Sequence, residues 1–263
     1  MHYEIRPMSL GEILDMGFRI LRDHFSLLVG LAATIYVPLF LLGSAIVLIF
    51  PQLASPDPGA GTPWLLSFSA SVGLWVLVAW PVAAAAITHA VGELYLGRAA
   101  TFANSLRTGC SLVGPLSFTS LLMMLMVLGG YILLVVPGVY LGLSYVLVWP
   151  IVVLERHFGA GALRRSRELL KDNLLRVTGL VMVAGLLALA LSSAVRFGVG
   201  SIPYVGLVAF ALAQSIVTAF ATIFRVLLYF DVRCRKEAFD IEHLARLVEQ
   251  QAAPPSPAPV PIG

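Results

Sequence analysis

Long apolar runs alternating with short basic stretches constrain this chain more than any other feature. Fifteen of the 17 Lys and Arg residues fall in four stretches that would all face the same side of a membrane. The two exceptions are Arg196 and Arg225. Basic residues that flank membrane helices accumulate on the cytoplasmic side. Composition agrees, because 59% apolar and 12% charged residues differ from the roughly 45–50% and 25% of soluble domains. The sequence therefore predicts an all-α, multi-pass membrane protein and excludes a water-soluble globule.

Six apolar runs are long enough to cross a hydrocarbon core of about 30 Å, which needs roughly 17–25 helical residues. They cover Phe25 to Phe50, Trp64 to Ile87, Leu116 to Val136, Gly138 to Leu154, Leu174 to Val195, and Leu207 to Tyr229. The Pro137-Gly138 pair is a turn signal, so the third and fourth runs are predicted to form a hairpin. Gly138 and Gly142 are spaced for close packing of two helix backbones. An even number of crossings places both termini on the basic, cytoplasmic side.

A short charged segment precedes the first, third and fifth runs, and two of these segments align. Leu14, Leu21, Arg22 and Asp23 match Leu163, Leu170, Lys171 and Asp172. Each segment is predicted to form an amphipathic helix in the membrane interface. Ser9 and Glu12 have capping-box spacing and Thr101 is a plausible cap for the second helix. Three repeat units are predicted, near residues 9–97, 101–158 and 161–235, within a membrane domain of residues 1–251. Coincidence is the alternative, since any charged segment before a membrane helix looks similar.

Each predicted unit ends in an acidic residue at the cytoplasmic boundary, namely Glu93, Glu155 and Asp231. A carboxylate at a helix C-terminus is mildly unfavourable, so each of these acids needs a basic partner. Arginines on the short helices are at a suitable depth: Arg19, Arg22, Arg107, Arg164 and Arg165. One interpretation is a structural clamp, and the other is a polar ring that binds a cation or a lipid head group. The clamp is favoured because pairing satisfies every charge without a ligand.

Arg225 lies inside an apolar run, six residues before Asp231 and so about 9 Å deeper along the helix. The favoured interpretation is that its side chain snorkels to the boundary. The alternative is an inward-facing cation that marks a substrate pathway or pairs with Glu93 or Glu155. His89 and Glu93 stand four residues apart on one helical face. A hydrogen bond at the boundary is favoured there over a metal site, because no second pair of ligands accompanies them.

The residues that bear on function form a candidate polar cluster on the cytoplasmic side: His89, Glu93, Glu155, Arg164, Arg165, Arg225 and Asp231. No Ser-His-Asp arrangement, metal-binding helix or Gly-rich phosphate loop occurs in the sequence. We therefore expect no catalytic residue, cofactor or metal. Membrane lipids with anionic head groups are the expected partners, nucleic acid is not, and a protein partner or oligomer is left open. The Pro/Ala-rich tail of residues 252–263 is predicted to be disordered.

Four motifs resemble a known family. They are Ser9-Leu10-Gly11-Glu12-Ile13-Leu14-Asp15 with Phe18-Arg19, Pro137-Gly138 with Pro150 and Glu155, Ala162-Leu163-Arg164-Arg165-Ser166, and Asp231-Val232-Arg233 with Arg235-Lys236-Glu237 and Phe239-Asp240. Together they resemble the membrane domain associated with bacterial glycerophosphoryl diester phosphodiesterases, which also occurs alone as uncharacterised six-helix proteins. The resemblance implies a bacterial plasma (inner) membrane location. It implies no catalysis, because the phosphodiesterase activity belongs to a separate barrel domain.

These observations lead to one expected function and one alternative. The expected function is a non-enzymatic, membrane-anchored accessory or scaffold that engages lipid head groups at its cytoplasmic face. The alternative is a transporter or channel component with a polar pathway near Arg225. The two differ in what should lie between the helices. A dry bundle with clamped short helices favours the scaffold, and a polar, water-filled cavity favours transport.

Overall fold

The computed structural model describes residues 8–49, 78–171, 173–198 and 205–237, and these residues contain helices and no strand. The helices are α1 (Leu10–Asp23), α2 (Phe25–Ile49), α3 (Trp80–Tyr95), α4 (Phe102–Ser111), α5 (Val113–Leu133), α6 (Val135–Ser144), α7 (Val148–Pro150), α8 (Ala160–Leu170), α9 (Leu174–Gly198) and α10 (Val205–Glu237). A π-helical turn, Ile151–Glu155, continues α7. The predicted tail lies outside the described residues.

Five helical segments are long and apolar enough to cross a membrane: Phe25–Leu42, Val113–Leu133, Val135–Glu155, Leu174–Gly198 and Val208–Glu237. They correspond to five of the six predicted crossings. Most of the remaining one, residues 64–77, lies outside the described residues. Large apolar side chains on α5 and α9 point outward, with Ile132 79% and Leu189 65% exposed. Such a surface is stable in lipid and not in water. The chain is therefore an all-α, multi-pass integral membrane protein.

Helix α10 lies at the centre of the bundle, in contact with α1, α2, α3 and α9. The Tyr36 hydroxyl of α2 is 3.0 Å from the Thr218 hydroxyl of α10. The Phe18 ring of α1 lies 4.9 Å from the Phe220 ring, measured between centroids. Next to it, a Cβ at Gly17 would stand 2.7 Å from the Phe224 ring, so only glycine permits this approach of α1 to α10.

The three short helices each bury one face against the bundle, as their amphipathic sequences predict. On α1 the buried residues are Ile13, Gly17, Ile20 and Leu21, and on α8 they are Ala162, Leu163, Ser166, Leu169 and Leu170. The predicted capping box of α1 is confirmed, with the Glu12 amide donating to Ser9 Oγ and the Ser9 amide to Glu12 Oε2. Thr101 precedes α4 but makes no side-chain capping bond. The threefold repeat stays a prediction, since residues of the first hairpin lie outside the described ranges.

The break between the third and fourth runs comes earlier than predicted. Helix α5 ends at Leu133, Leu134 is extended, and Pro137 is the third residue of α6. Proline is tolerated there because the first helical turn has no partners for its amide groups. The two helices approach closely at Gly130, where a Cβ would stand 3.0 Å from the Gly138 Cα atom. Of the two glycines predicted to allow close helix packing, Gly138 lies at this approach and Gly142 does not, because a Cβ at Gly142 would have no neighbour within 4 Å.

The fourth crossing is interrupted between α6 and α7, at residues 145–147. Ser166 of α8 is fully buried and its hydroxyl donates to the Ser144 carbonyl at 2.7 Å. That bond satisfies a carbonyl that the helix end would otherwise leave without a partner. The interruption and the π-helical turn after Pro150 set the positions of Trp149 and Glu155, which both belong to the sites described next.

Candidate functional site

The structure distributes the predicted polar cluster over separate groups. Glu155 and Arg165 are paired, Asp231 belongs to a second group, and Glu93 and His89 lie on α3 with other partners. Arg164 is on the exposed face of α8. Arg225 lies apart from all of these, among aromatic rings. The seven residues therefore do not form one site.

Glu155 is the centre of a closed network at the end of α10. Its carboxylate accepts hydrogen bonds from Arg165 Nε at 3.0 Å, Arg165 Nη2 at 3.3 Å and the Tyr229 hydroxyl at 2.9 Å. Arg165 also pairs with Glu237, which accepts from Arg233 Nε at 2.8 Å. Arg233 in turn donates to the Tyr229 hydroxyl at 3.1 Å. Two acids and two arginines thus compensate one another.

This network holds α8 against α10 and the π-helical turn. Burial disfavours the charged form of Arg165, yet its hydrogen bonds to Glu155 and Glu237 raise the pKa of its guanidinium above the ordinary value. The bidentate contact with Glu155 is the strong geometry for an arginine and a carboxylate. Because the charges already have partners, this part of the predicted cluster fits the structural clamp.

Asp231 anchors the chain just before α1. Its side chain is fully buried and accepts from the Met8 amide at 2.7 Å and from Arg235 Nε at 3.2 Å. Arg176 Nη2 of α9 lies 3.3 Å from the same carboxylate. Arg176 and Arg235 both donate to the Met8 carbonyl as well. The expected basic partner therefore exists, but it comes from α9 and α10 rather than from a short helix.

Among the described residues, Glu93 does not join α3 to another helix, and His89 contacts α4 through a neutral hydrogen bond rather than an ion pair. Glu93 Oε2 is 3.5 Å from Arg98 Nε, which follows α3 directly in the chain. His89 Nδ1 is 3.3 Å from the Ser105 hydroxyl of α4, the boundary hydrogen bond that the sequence favoured. Burial lowers the pKa of His89, against the opposing effect of Glu93. Within the described ranges, no cluster of three or more potential metal-binding His, Cys, Asp or Glu side chains is found.

Arg164 lies on the outer face of α8, where its side chain is 83% exposed and 2.8 Å from Glu168. Arg167 and Lys171 are exposed beside it. Exposed pairs of this kind contribute little to stability. With three exposed basic residues against one acid, the outer face of α8 presents a net positive surface.

Arg225 does not snorkel. Its guanidinium carbon lies 5.1 Å from the ring centroid of Trp149 and 5.9 Å from that of Trp80. Its Nη1 atom is buried and has no hydrogen-bond partner among the described residues. The predicted partners Glu93 and Glu155 pair elsewhere. The inward-facing alternative is the one that the structure supports, because the two rings lie inside the bundle.

The two rings compensate only part of the cost of burying Arg225. A cation–π contact stabilises by about 0.5–2 kcal/mol, and more only when the cation is well desolvated. Removal of a guanidinium from water costs several kcal/mol even after relaxation. Arginine cannot relieve that cost by losing its proton at physiological pH. Among the described residues, no carboxylate balances the charge of Arg225.

A cavity of about 280 Å³ lies beside Arg225, between α9, α10 and Trp80. Most of its walls are apolar, including Leu180, Ala184 and Ala188 of α9. The polar exceptions on α10 are Gln214, Thr218 and Arg225. Their spacing of four and then seven residues places them on one helical face. This spacing is visible in the sequence, where Arg225 stands out by its charge and the neutral Gln214 and Thr218 do not.

The chain matches no family model, no curated protein and no solved structure. The family resemblance drawn from the sequence motifs therefore stays a prediction. What the structure itself establishes is a helical membrane protein with paired charges at one end of the bundle and, within the described part of the chain, Arg225 beside a cavity without a carboxylate partner.

Proposed function

We propose that this chain is a non-enzymatic membrane-anchored accessory or scaffold that binds anionic lipid head groups at its cytoplasmic face. The observation that carries the proposal is the geometry of α8. One face of this helix is buried in the bundle, and Arg164, Arg167 and Lys171 are exposed on the other. A basic amphipathic helix at a membrane boundary attracts anionic lipids, at about 1 kcal/mol per Lys or Arg near the surface.

The paired networks support the scaffold part of this proposal. Glu155, Arg165, Arg233 and Glu237 already satisfy one another, so they hold α8 in place without a ligand. Arg165 therefore belongs to the framework, and lipid binding is assigned to its exposed neighbours. The resemblance to a membrane domain whose associated activity lies in another domain also supports a non-enzymatic role.

Native mass spectrometry of the purified protein tests lipid binding. Protein taken from vesicles that contain phosphatidylglycerol should retain that lipid. A variant with Arg164→Gln, Arg167→Gln and Lys171→Gln should bind it at least about tenfold more weakly. Arg196→Gln is the matched control, because it removes an exposed arginine from the other end of α9. Equal retention of phosphatidylglycerol by the triple variant and the control would contradict the proposal, as would equal retention of phosphatidylcholine by the wild type.

Orientation is tested with the two cysteines. Cys110 is exposed on α4 and Cys234 is buried on α10. If the basic end is cytoplasmic, a membrane-impermeant maleimide should label Cys110 only after the cells are permeabilised. Cys110→Ser supplies the control for background labelling. Reaction of Cys110 in intact cells would place the basic end outside and would remove the basis for binding at a cytoplasmic face.

A transporter or channel component is the second candidate function, supported by the inward-facing Arg225 and the polar face of α10. The predominantly apolar walls of the adjoining cavity favour an amphipathic ligand over a column of water.

A further inference from the structure

We infer that the cavity beside Arg225 is a binding site for the carboxylate of a single-chain amphiphile, such as a long-chain fatty acid, entering from the surrounding lipid. This site is separate from the exposed head-group surface of α8. It combines one buried cation with an apolar channel along the membrane depth.

The charge of Arg225 favours an anionic ligand. Arg225 lines the cavity, its Nη1 atom is buried without a hydrogen-bond partner among the described residues, and its guanidinium lies over the rings of Trp80 and Trp149. A planar guanidinium forms paired hydrogen bonds with a carboxylate, in the geometry that Arg165 and Glu155 already show in this protein. A carboxylate therefore matches both the charge and the shape of the vacant side of Arg225.

The direction of the cavity favours an amphiphile. It extends along α10 from Leu228 and Arg225 to Gln214, and the last two residues are eleven positions or about 16 Å apart along the helix axis. The contact between Arg176 and Asp231 places the start of α9 beside the end of α10. Arg225 is consequently near the boundary end, and the cavity runs inward from it between walls that are mostly apolar, with Thr218 and Gln214 as the polar exceptions. An amphiphile with its head at the boundary has this same orientation in a membrane leaflet.

The cavity is open to the surrounding lipid and has room for part of one acyl chain. Val181 of α9 lines the cavity and is also 41% exposed, so the edge of the cavity reaches the lipid-facing surface. Ala184, Gly185 and Ala188 leave the space between α9 and α10 open. A volume of about 280 Å³ is just below the range of whole-ligand pockets, roughly 300–1,000 Å³. It suits a head group and part of one chain, with the remainder in the bilayer.

The experiment uses the full chain in an uncharged detergent and measures quenching of tryptophan fluorescence by dibromostearate. Trp80 and Trp149 flank Arg225, so a bound brominated chain should quench them in a saturable manner. The corresponding brominated alcohol lacks the charge, and a brominated phosphatidylglycerol carries its charge on a two-chain lipid. We expect the alcohol and the phospholipid each to bind at least about tenfold more weakly than the carboxylate.

Two kinds of variant separate the charge from the cavity. Arg225→Gln should weaken dibromostearate binding about tenfold or more, and Arg225→Lys should retain part of it. Gly185→Leu should abolish binding by filling the cavity, because a Cβ there meets no atom within 4 Å and should not disturb the fold. Gly129→Leu is its matched control, in equally open surroundings on α5 and away from the cavity.

The outcomes are separable. Saturable quenching that Gly185→Leu removes and Gly129→Leu leaves unchanged supports the site even if Arg225→Gln fails to fold. Absence of saturable quenching, equal affinity for the alcohol, or preference for the phospholipid would each overturn the inference. The triple variant of α8 should leave dibromostearate binding unchanged, so failure of head-group binding on α8 and failure of this site are distinguishable.

Discussion

Arg225 and Arg233 lie on the same helix, eight residues or about 12 Å apart, and they differ in how their charge is compensated. Arg233 donates to Glu237 and to the Tyr229 hydroxyl, and it lies over the Tyr229 ring. Arg225 has two tryptophan rings and no carboxylate partner among the described residues. An arginine whose charge is fully paired holds helices together, and an arginine left with rings alone can still receive an anion.

The same contrast separates the two parts of the bundle. At the boundary end, acids and arginines from different helices close networks that need no ligand. Within the bundle, the cavity beside Arg225 has room and one uncompensated charge. The predicted cluster of seven residues therefore combines structural pairs with one candidate binding residue. Substitutions that remove a single charge should affect the two parts in opposite directions.

The largest effect is expected at Asp231. The Asp231→Asn substitution leaves Arg176 and Arg235 beside a neutral side chain and weakens the anchor at Met8. Loss of one partner from a buried ion pair destabilises by about 3–5 kcal/mol. We expect the free energy of unfolding, measured by denaturant titration in detergent micelles, to fall by that amount. Asp15→Asn removes an exposed acid from α1 and is the control. A similar loss in both variants would show that Asp231 is not an anchor.

A smaller and opposite pair of effects should distinguish Arg233 from Arg225. Arg233→Met removes the donor of the charge-assisted hydrogen bonds to Glu237 and Tyr229, so the free energy of unfolding should fall by about 1.5–3 kcal/mol. Arg225→Met replaces an unpaired buried cation with an apolar side chain of similar length. Such replacements are neutral or stabilising, by about 1 kcal/mol or more. Both variants are measured by the same denaturant titration, without added fatty acid. If Arg225→Met proves as destabilising as Arg233→Met, Arg225 has a structural partner and the contrast fails.

Much of the fold follows from local sequence. Run length and hydropathy located the described crossings, and the Ser9 and Glu12 spacing identified the start of α1. Pro137 was misplaced because proline fits the first turn of a helix as well as a turn between helices. The break at Leu134 depends instead on the close approach of Gly130 and Gly138, which are on different helices. A contact of that kind is set by packing rather than by neighbours in the chain.

The candidate sites were predictable only where partners are close in sequence. Glu155 and Arg165 are ten residues apart, and the sequence placed Arg165, on the short helix that follows Glu155, at a depth suitable for pairing with an acid. Asp231 binds the backbone of Met8, 223 residues away, which side-chain charge patterns cannot reveal. The orientation of Arg225 depends on Trp80 and Trp149, from two other helices. Snorkelling was a sound expectation for an isolated helix, and tertiary contacts with these rings decided otherwise.

The smallest effect is expected at His89, where the pH dependence of stability shows whether the ring is neutral in the folded protein. Because burial lowers the pKa of His89, the folded state favours the neutral ring. An unfolded histidine takes up a proton near pH 6.5. The unfolded state therefore binds more protons as the pH falls through that value, and stability decreases. The melting temperature should fall between pH 8 and pH 5.5, and the fall should be smaller in His89→Gln. At pH 8 the His89 ring of the wild type and the glutamine amide of the variant are both neutral. The difference in melting temperature at that pH therefore measures the lost contact with Ser105 alone. An equal fall in both proteins would mean that the pKa of His89 is the same in the folded and unfolded states, and a larger fall in His89→Gln would mean that Glu93 keeps the ring charged.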